Sequence, residues 1–226
     1  MSITVVTSVT KGKDHLIETH KKDGAKFVAF TDKPMKSKLW DVKPAYDRFT
    51  DPRRNSRIHK ILIHQYVDTE YSIWVDGNIE LLMSPQELVD TFMKDHDIMF
   101  FEHIGRKCLY EEAVECAVRK LDDPETIIAQ AKTYEDAGFV KDKGLYVGNF
   151  IIRRHTPKVE AFNNAWWSEY CRHSVRDQIS LPYVIDKVGI RVNHPRVDWE
   201  MAPNKLTGQR ANYIKIYPHI IKNPTR

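Results

Sequence analysis

Long apolar runs are missing from this chain. No segment approaches the roughly 20 residues that a helix needs to cross a bilayer, so no membrane span is expected. The start, Met1-Ser2-Ile3-Thr4-Val5-Val6, has no basic cluster followed by a long apolar stretch, so no secretory signal is expected either. Cysteine is scarce: Cys108, Cys116 and Cys171 are odd in number and lack metal-like spacing, which argues against a disulfide framework. Reduced thiols fit a cytoplasmic compartment. The chain contains no His-Glu-x-x-His, Gly-x-Ser-x-Gly, phosphate-loop or Gly-x-Gly-x-x-Gly motif, which argues against metalloprotease, serine hydrolase, nucleoside triphosphatase and dinucleotide-binding readings. Repeats, low-complexity tracts and linkers are also absent. Nor is there a large excess of one charge: the formal net charge is +4 and the pI about 8.8, mildly favourable to anionic ligands without requiring nucleic acid.

What remains is a chain of 226 residues, 42% hydrophobic and 29% charged, enough for one filled α/β core and too short for two large domains. One domain over 1–226 is expected, with its core at about 3–193 and a tail at 199–226 that has no clear period. Ile3–Val9 and Lys26–Thr31 read as strands separated by a polar segment of helical length, a βαβ opening that implies a mostly parallel sheet flanked by helices. Asn55 can cap a helix over 55–66, with Arg57, Lys60 and His64 on one face. Tyr71–Val75 is the next strand. Ser84-Pro85-Gln86-Glu87 predicts a capped helix start, and 97–101 a further strand. Helices are expected over 109–120, 124–135, 157–170 and from Ser174 onward, where Asp177 completes a capping-box pattern. Strands are expected over 145–153, interrupted near Gly148-Asn149, and over 190–193.

The segment Ile73-Trp74-Val75-Asp76-Gly77-Asn78 carries the strongest chemical signal. A buried strand ends abruptly in an acid, a glycine and an amide, at the sheet edge where open α/β folds bind ligands. Asp76 and Asn78 suit a hard divalent cation carrying phosphates. The same tripeptide is also good turn chemistry. Arg53-Arg54-Asn55-Ser56-Arg57-Ile58-His59-Lys60 crowds cations at a helix start, against the macrodipole, so a diphosphate is a natural partner; a solvated basic surface is the plainer reading. His103 and Arg106, after another strand, and Asn149, beside Gly148, are candidate acceptor contacts, although a bulge explains that glycine as well. Pro182 soon after Asp177 is a local defect that a site-forming helix tolerates. His194 is either a third metal ligand or a surface imidazole.

Taken in order, Phe30-Thr31-Asp32, the 57–60 basic helix, the Trp-Val-Asp-Gly-Asn block, Phe101-Glu102-His103 through Glu112, and Ser174-Val175-Arg176-Asp177-Gln178 resemble the glycosyltransferase-like family of plant mucilage-type and bacterial polysaccharide proteins. The resemblance covers about 3–193. It implies a single Rossmann-like GT-A domain, a nucleoside-diphosphate sugar donor, a glycan or other hydroxyl acceptor, and Mn²⁺ or Mg²⁺. It also implies roles: Thr7, Ser8 and Asp32 around the nucleoside; Arg57, Lys60, Asp76, Gly77 and Asn78 at the diphosphate; Asp76, Asn78 and His194 on the metal; Asp177 and Gln178 facing the anomeric carbon. Asn78 departs from the family's second acid and removes one negative charge from the metal site. The expected reaction is hexosyl transfer, with retention of configuration favoured by the acid-amide pair. The competing readings are a non-catalytic nucleotide-sugar or glycan-binding module, a hydrolase using the same metal, and a nucleic-acid binder, the last opposed by the acidic strand end at Asp76.

Overall fold

The computed structural model describes residues 1–196, 200–201 and 209–220. Its central sheet is built from β1 (Ile3–Val9), β2 (Lys26–Thr31), β3 (Asp41–Pro44), β4 (Tyr71–Val75), β6 (Ile98–Glu102), β7 (Tyr146–Arg154) and β8 (Val192–Asn193), in the spatial order β3-β2-β1-β4-β7-β6-β8. Every neighbouring pair is parallel except those involving β7, which runs antiparallel between β4 and β6. A smaller sheet joins β5 (Ile79–Leu81), β11 (Ile214–Ile216), β10 (Gln209–Arg210) and β9 (Glu200–Met201) in that order. Among the described residues the α-helices are α1 (Pro52–Ile61), α2 (Pro85–Phe92), α3 (Leu109–Val118), α4 (Pro124–Asp136), α5 (Pro157–Arg172) and α6 (Asp177–Val188). The expected α/β class with a mostly parallel, helix-flanked sheet is what the structure shows.

Successive strand residues point to opposite faces, so an all-apolar strand must be covered twice. Val5, Ile73, Phe150 and Ile152 pack under Leu88, Val89 and Phe92 of α2. Val6, Trp74, Phe100 and Ile151 pack on the other face against Phe162, Trp166 and Tyr170 of α5 and Ile61 of α1. Each fully buried side chain of this size contributes about 1.5–3 kcal/mol. A third cluster, Leu109, Ala113, Ile127 and Tyr134 with Ile179, fixes α3 and α4 to α6.

Three features bear on the site. Along β6 the pairing jumps from Phe100↔Ile151 to Phe101↔Val147, so β7 bulges outward at Gly148, Asn149 and Phe150. α1 begins earlier than Asn55 because Asp51 caps it, accepting from Arg53 N at 2.8 Å. It ends at Ile61, and a single 3-10 turn, Ile63–Gln65, follows.

Elsewhere the expectations fail for identifiable reasons. The segment between β1 and β2 is not helical. Its backbone turns through left-handed residues, Lys11 at φ 58° and Gly12 at φ 62°. It then serves other segments: Ile17 O accepts from Trp40 Nε1 at 2.8 Å and His20 Nδ1 from Leu81 N at 3.1 Å. The Ser174 capping box does not form, because the Ser174 hydroxyl donates to Gln130 Oε1 at 2.5 Å and α6 starts at Asp177 behind Arg176. The tail, part of which lies outside the described residues, contributes β11, paired with β5 through Ile214↔Leu81 and Ile216↔Ile79.

The capping box at α2 does form: Ser84 Oγ accepts from Glu87 N at 3.3 Å while Glu87 Oε2 accepts from Ser84 N at 2.8 Å. Ser84→Ala should therefore lower unfolding free energy by about 1 kcal/mol, measured by urea denaturation.

Candidate active site

The carboxyl lip of the sheet gathers side chains from β4, α1, β7 and α6. Asp76, one residue past β4, accepts from Trp74 Nε1 at 2.8 Å, and its backbone N donates to Asn149 O at 2.9 Å. The indole therefore orients the carboxylate from its own strand. Gly77 follows, packed so closely that an added Cβ would lie 3.0 Å from Val9 Cγ2 and 3.2 Å from Asp14 Cβ. Asn78 is clamped twice by the C-terminal segment: its Nδ2 donates to Tyr217 O at 2.6 Å, and its O accepts from Tyr217 N at 2.8 Å. That segment continues to His219, whose Nδ1 lies 2.9 Å from Asp14 Oδ1. Asp14 and His219 thus stand beside the glycine of the turn.

The electrostatic centre lies one layer deeper. Asp177, the first residue of α6, is buried, and its Oδ2 meets Lys60 Nζ at 2.5 Å and Arg57 Nε at 3.2 Å. Lys60 and Arg57 are three residues apart on α1, so both face the same way. Burial alone would raise the Asp177 carboxyl, but Lys60 and Arg57 outweigh it and hold the group well below the usual carboxylate range. Burial pulls the Lys60 ammonium down, opposed chiefly by Asp177. Burial would also pull Arg57 down, but Asp177 and then Asp76 raise it overall. Asp76 therefore belongs to the same field.

The bulge of β7 supplies the opposite wall. A Cβ on Gly148 would sit 2.9 Å from Lys60 Nζ and 3.9 Å from Asp177 Oδ2. The close approach for which a glycine is required is to this ion pair. Asn149 Oδ1 and Gln178 Nε2 are buried beside it with no hydrogen-bond partner among the described residues. So are Thr7 Oγ1 and Ser8 Oγ at the end of β1. Unpaired buried polar atoms are uncommon in folded proteins, and their concentration along one lip suits polar ligand contact. Asp32, just past β2, is exposed and accepts from Lys11 N at 2.7 Å.

The rest of the basic run does not reach the site. Arg53 is held by Asp51 at 2.8 Å and Asp122 at 3.4 Å, and Arg54 donates to Tyr170 O at 3.0 Å. His59 stacks on Phe30 with centroids 3.8 Å apart, accepts from Tyr46 N at 2.9 Å, and is pushed down by burial to about 3. His64 shares a 3.1 Å contact with Asn163 Nδ2, away from Asp177. Just past β6, His103 Nδ1 accepts from Arg106 N at 2.9 Å, and Arg106 Nε pairs with buried Glu112 at 2.6 Å. Arg176 reaches the same Glu112 at 3.8 Å.

His194 packs on the Tyr146 ring, centroids 5.6 Å apart, beyond the last strand of the sheet. The imidazole placed beside the 76–78 turn is that of His219. Among the described residues no three His, Cys, Asp or Glu side chains form a ready metal cluster. Sequence reasoning missed Asp14 and His219, and it named Glu112 only within the family resemblance, not as the buried partner of Arg106. Only the alternating Ile214-Lys215-Ile216 could have signalled that the tail returns to this edge.

A family model described as "TOD1/MUCI70, glycosyltransferase-like domain" matches residues 18–212. The probable hexosyltransferase MUCI70 of Arabidopsis thaliana is 29% identical over 168 residues, covering 69% of this chain and 29% of that protein. The alkaline ceramidase TOD1 of the same plant is 26% identical over 192 residues, covering 77% of this chain and 40% of that protein. The chain thus spans less than half the length of either relative. Among solved structures, the bifunctional glycosyltransferase WbbM in its apo form superposes with a TM-score of 0.50 at 11% identity, over 86% of this chain and 38% of that one, a likeness of fold.

Removing the charge of Asp177 would leave Lys60 buried without a partner. Asp177→Asn should cost about 3–5 kcal/mol in denaturant unfolding, with much of the loss recovered in the double variant Lys60→Met/Asp177→Asn. Because the folded carboxyl is depressed, the stability it contributes is present above the unfolded value near 4 and is lost progressively as pH falls from there through the lower folded one. The gap between wild type and Asp177→Asn should therefore stay wide at pH 4 and narrow below it.

Proposed function

This chain belongs to the TOD1/MUCI70 glycosyltransferase-like family, and on that premise we propose that it transfers a hexosyl group from a nucleoside-diphosphate sugar to a hydroxyl of a glycan or similar acceptor. The observation that carries the reading is the cluster of Lys60, Arg57 and Asp177 directly behind Asp76 at the carboxyl lip. Two cations on one helix face, within the field of a strand-end carboxylate, suit a diphosphate that leaves with added negative charge. The unpaired hydroxyls of Thr7 and Ser8, with Asp32, offer polar contacts for the nucleoside end. His103, Arg106 and Asn149 line the acceptor side.

A divalent cation, Mn²⁺ or Mg²⁺, fits the donors at the turn. Asp76 and Asn78 present hard oxygen atoms, and such ions commonly take one or two carboxylates and complete their shell with substrate phosphates and water. Asp14, paired with His219, packs against Gly77 on the far side. When bound, the cation supplies further charge stabilisation of the departing diphosphate.

The state of Asp177 bears on stereochemistry. A carboxylate held far below its usual range by Lys60 and Arg57 is a weak base at neutral pH. That favours a retaining course, in which Asp177 and Gln178 stabilise positive character at the anomeric carbon and a phosphate oxygen takes the acceptor proton. An inverting course would need Asp177 itself to accept that proton.

The test is a panel of nucleoside-diphosphate sugars with and without Mn²⁺, read by thermal shift and by release of nucleoside diphosphate. One donor should raise the melting temperature and turn over, and Asp76→Ala should remove the metal-dependent part of the shift with the fold intact. Stabilisation by a donor without turnover, with any hydroxyl acceptor offered, would favour a binding module. No response to any donor would reject the proposal.

A further inference from the structure

At the opposite end of the sheet from the lip, one row of strand residues departs from the apolar pattern. The register places Lys26, Thr4, Ser72, Arg153 and Ile98 side by side across β2, β1, β4, β7 and β6. Cross-strand partners share a face, so Ser72 and Ile98 flank Arg153 beneath α5, with Thr4 one strand beyond Ser72. Arg153 is fully buried, and its Nε, Nη1 and Nη2 have no hydrogen-bond partner among the described residues. Its guanidinium carbon lies 5.7 Å from the centroid of Trp166. Fully buried Asn163 covers the same face and has an unpaired Oδ1, while its Nδ2 contacts His64 Nδ1. His155 Nε2 lies 2.8 Å from Ser72 Oγ.

Among the described residues no carboxylate pairs with this guanidinium. Burial lowers Arg153 to about 9, which still leaves it charged at neutral pH. Burial first, then the Arg153 charge, lowers His64 and His155, the latter to about 4, so both imidazoles are neutral neighbours; Glu160 also acts on His64 but is exposed. An isolated buried cation costs several kcal/mol, and neutral hydrogen-bonding partners satisfy its donors without cancelling its charge. A negative ion does both. Nearby, a surface cleft of about 900 Å³ is lined by Thr4, His64 and Tyr66 and by two ion pairs, Lys26 with Asp68 at 3.6 Å and Lys43 with Asp41 at 3.5 Å. His64 stands both on the wall of that cleft and against Asn163, so it links the cleft to the helix that covers Arg153.

We propose that Arg153, with Ser72 and His155, forms an internal site for a halide-sized monovalent anion, chloride in solution, that neutralises the buried guanidinium and stabilises the sheet. The site is separate from the transferase lip and does not depend on that assignment.

The test is thermal unfolding of the whole chain in sodium chloride against sodium gluconate at matched ionic strength. Above the dissociation constant, each further factor of five to ten in chloride concentration should raise the melting temperature by about 2–4 °C, and Arg153→Met should lose that dependence. Equal melting of the wild type in both salts, or a full chloride effect retained in Arg153→Met, would overturn the proposal. Should the variant not fold, crystals of the wild type soaked in bromide decide: anomalous density at the Arg153 guanidinium is expected, and its absence there rejects the site.

Discussion

The lip of this protein is organised around one buried ion pair, Lys60 with Asp177, reinforced by Arg57. Neither partner is tolerable alone at that depth, because a buried charge without a counter-charge is among the costliest features a fold can carry. The pair therefore ties α1 to α6, elements 117 residues apart in the chain. It also dictates what surrounds it. Gly148 is where β7 must have no side chain, and the bulge that presents it requires β7 to run against its neighbours. The antiparallel strand in an otherwise parallel sheet is thus part of how the charge cluster is enclosed.

A second constraint holds the turn in front of that cluster. Asp76 takes its orientation from Trp74 within β4, whereas Asn78 takes its own from Tyr217 near the end of the described chain. The small sheet formed by β5 and β11 makes this possible, since β5 begins directly after Asn78. The lip is consequently assembled from both ends of the sequence, and Asp14 with His219 repeats the arrangement one residue away.

Much of this architecture was legible because it is local. Apolar strands ending in polar residues, and Pro-headed helices with caps, mark themselves within a few residues, and β1, β2, β4, α2 and α5 lie where those signals put them. Arg57, Lys60, Asp76 and Asp177 stood out by charge in the wrong place, a cation in a helix start or an acid ahead of a proline. What could not be read depends on distant partners. Ser174 has the local form of a cap but is claimed by Gln130. The segment after β1 has the length of a helix, yet its carbonyls and side chains are used by Trp40, Leu39 and Leu81. His219 carries no pattern at all; only pairing of β11 with β5 brings it to the edge. The glycine at 148 was visible as a point of close approach, but the atom approaching it was not.

Trp166 connects the two charged regions of the core. Its ring lies 5.9 Å from Lys60 Nζ and 5.7 Å from the Arg153 guanidinium, and its Nε1 donates to Asp177 O at 2.9 Å. One indole therefore contacts both members of the lip ion pair and the unpaired cation at the far end of the sheet. In an interior packed as densely as a crystal, a side chain so placed cannot shift to suit one neighbour without disturbing the others. Two like charges facing one ring also repel, and Asp177 compensates only the nearer. This unequal compensation is why Lys60 is stable where it stands, and why Arg153 calls for a negative partner of its own.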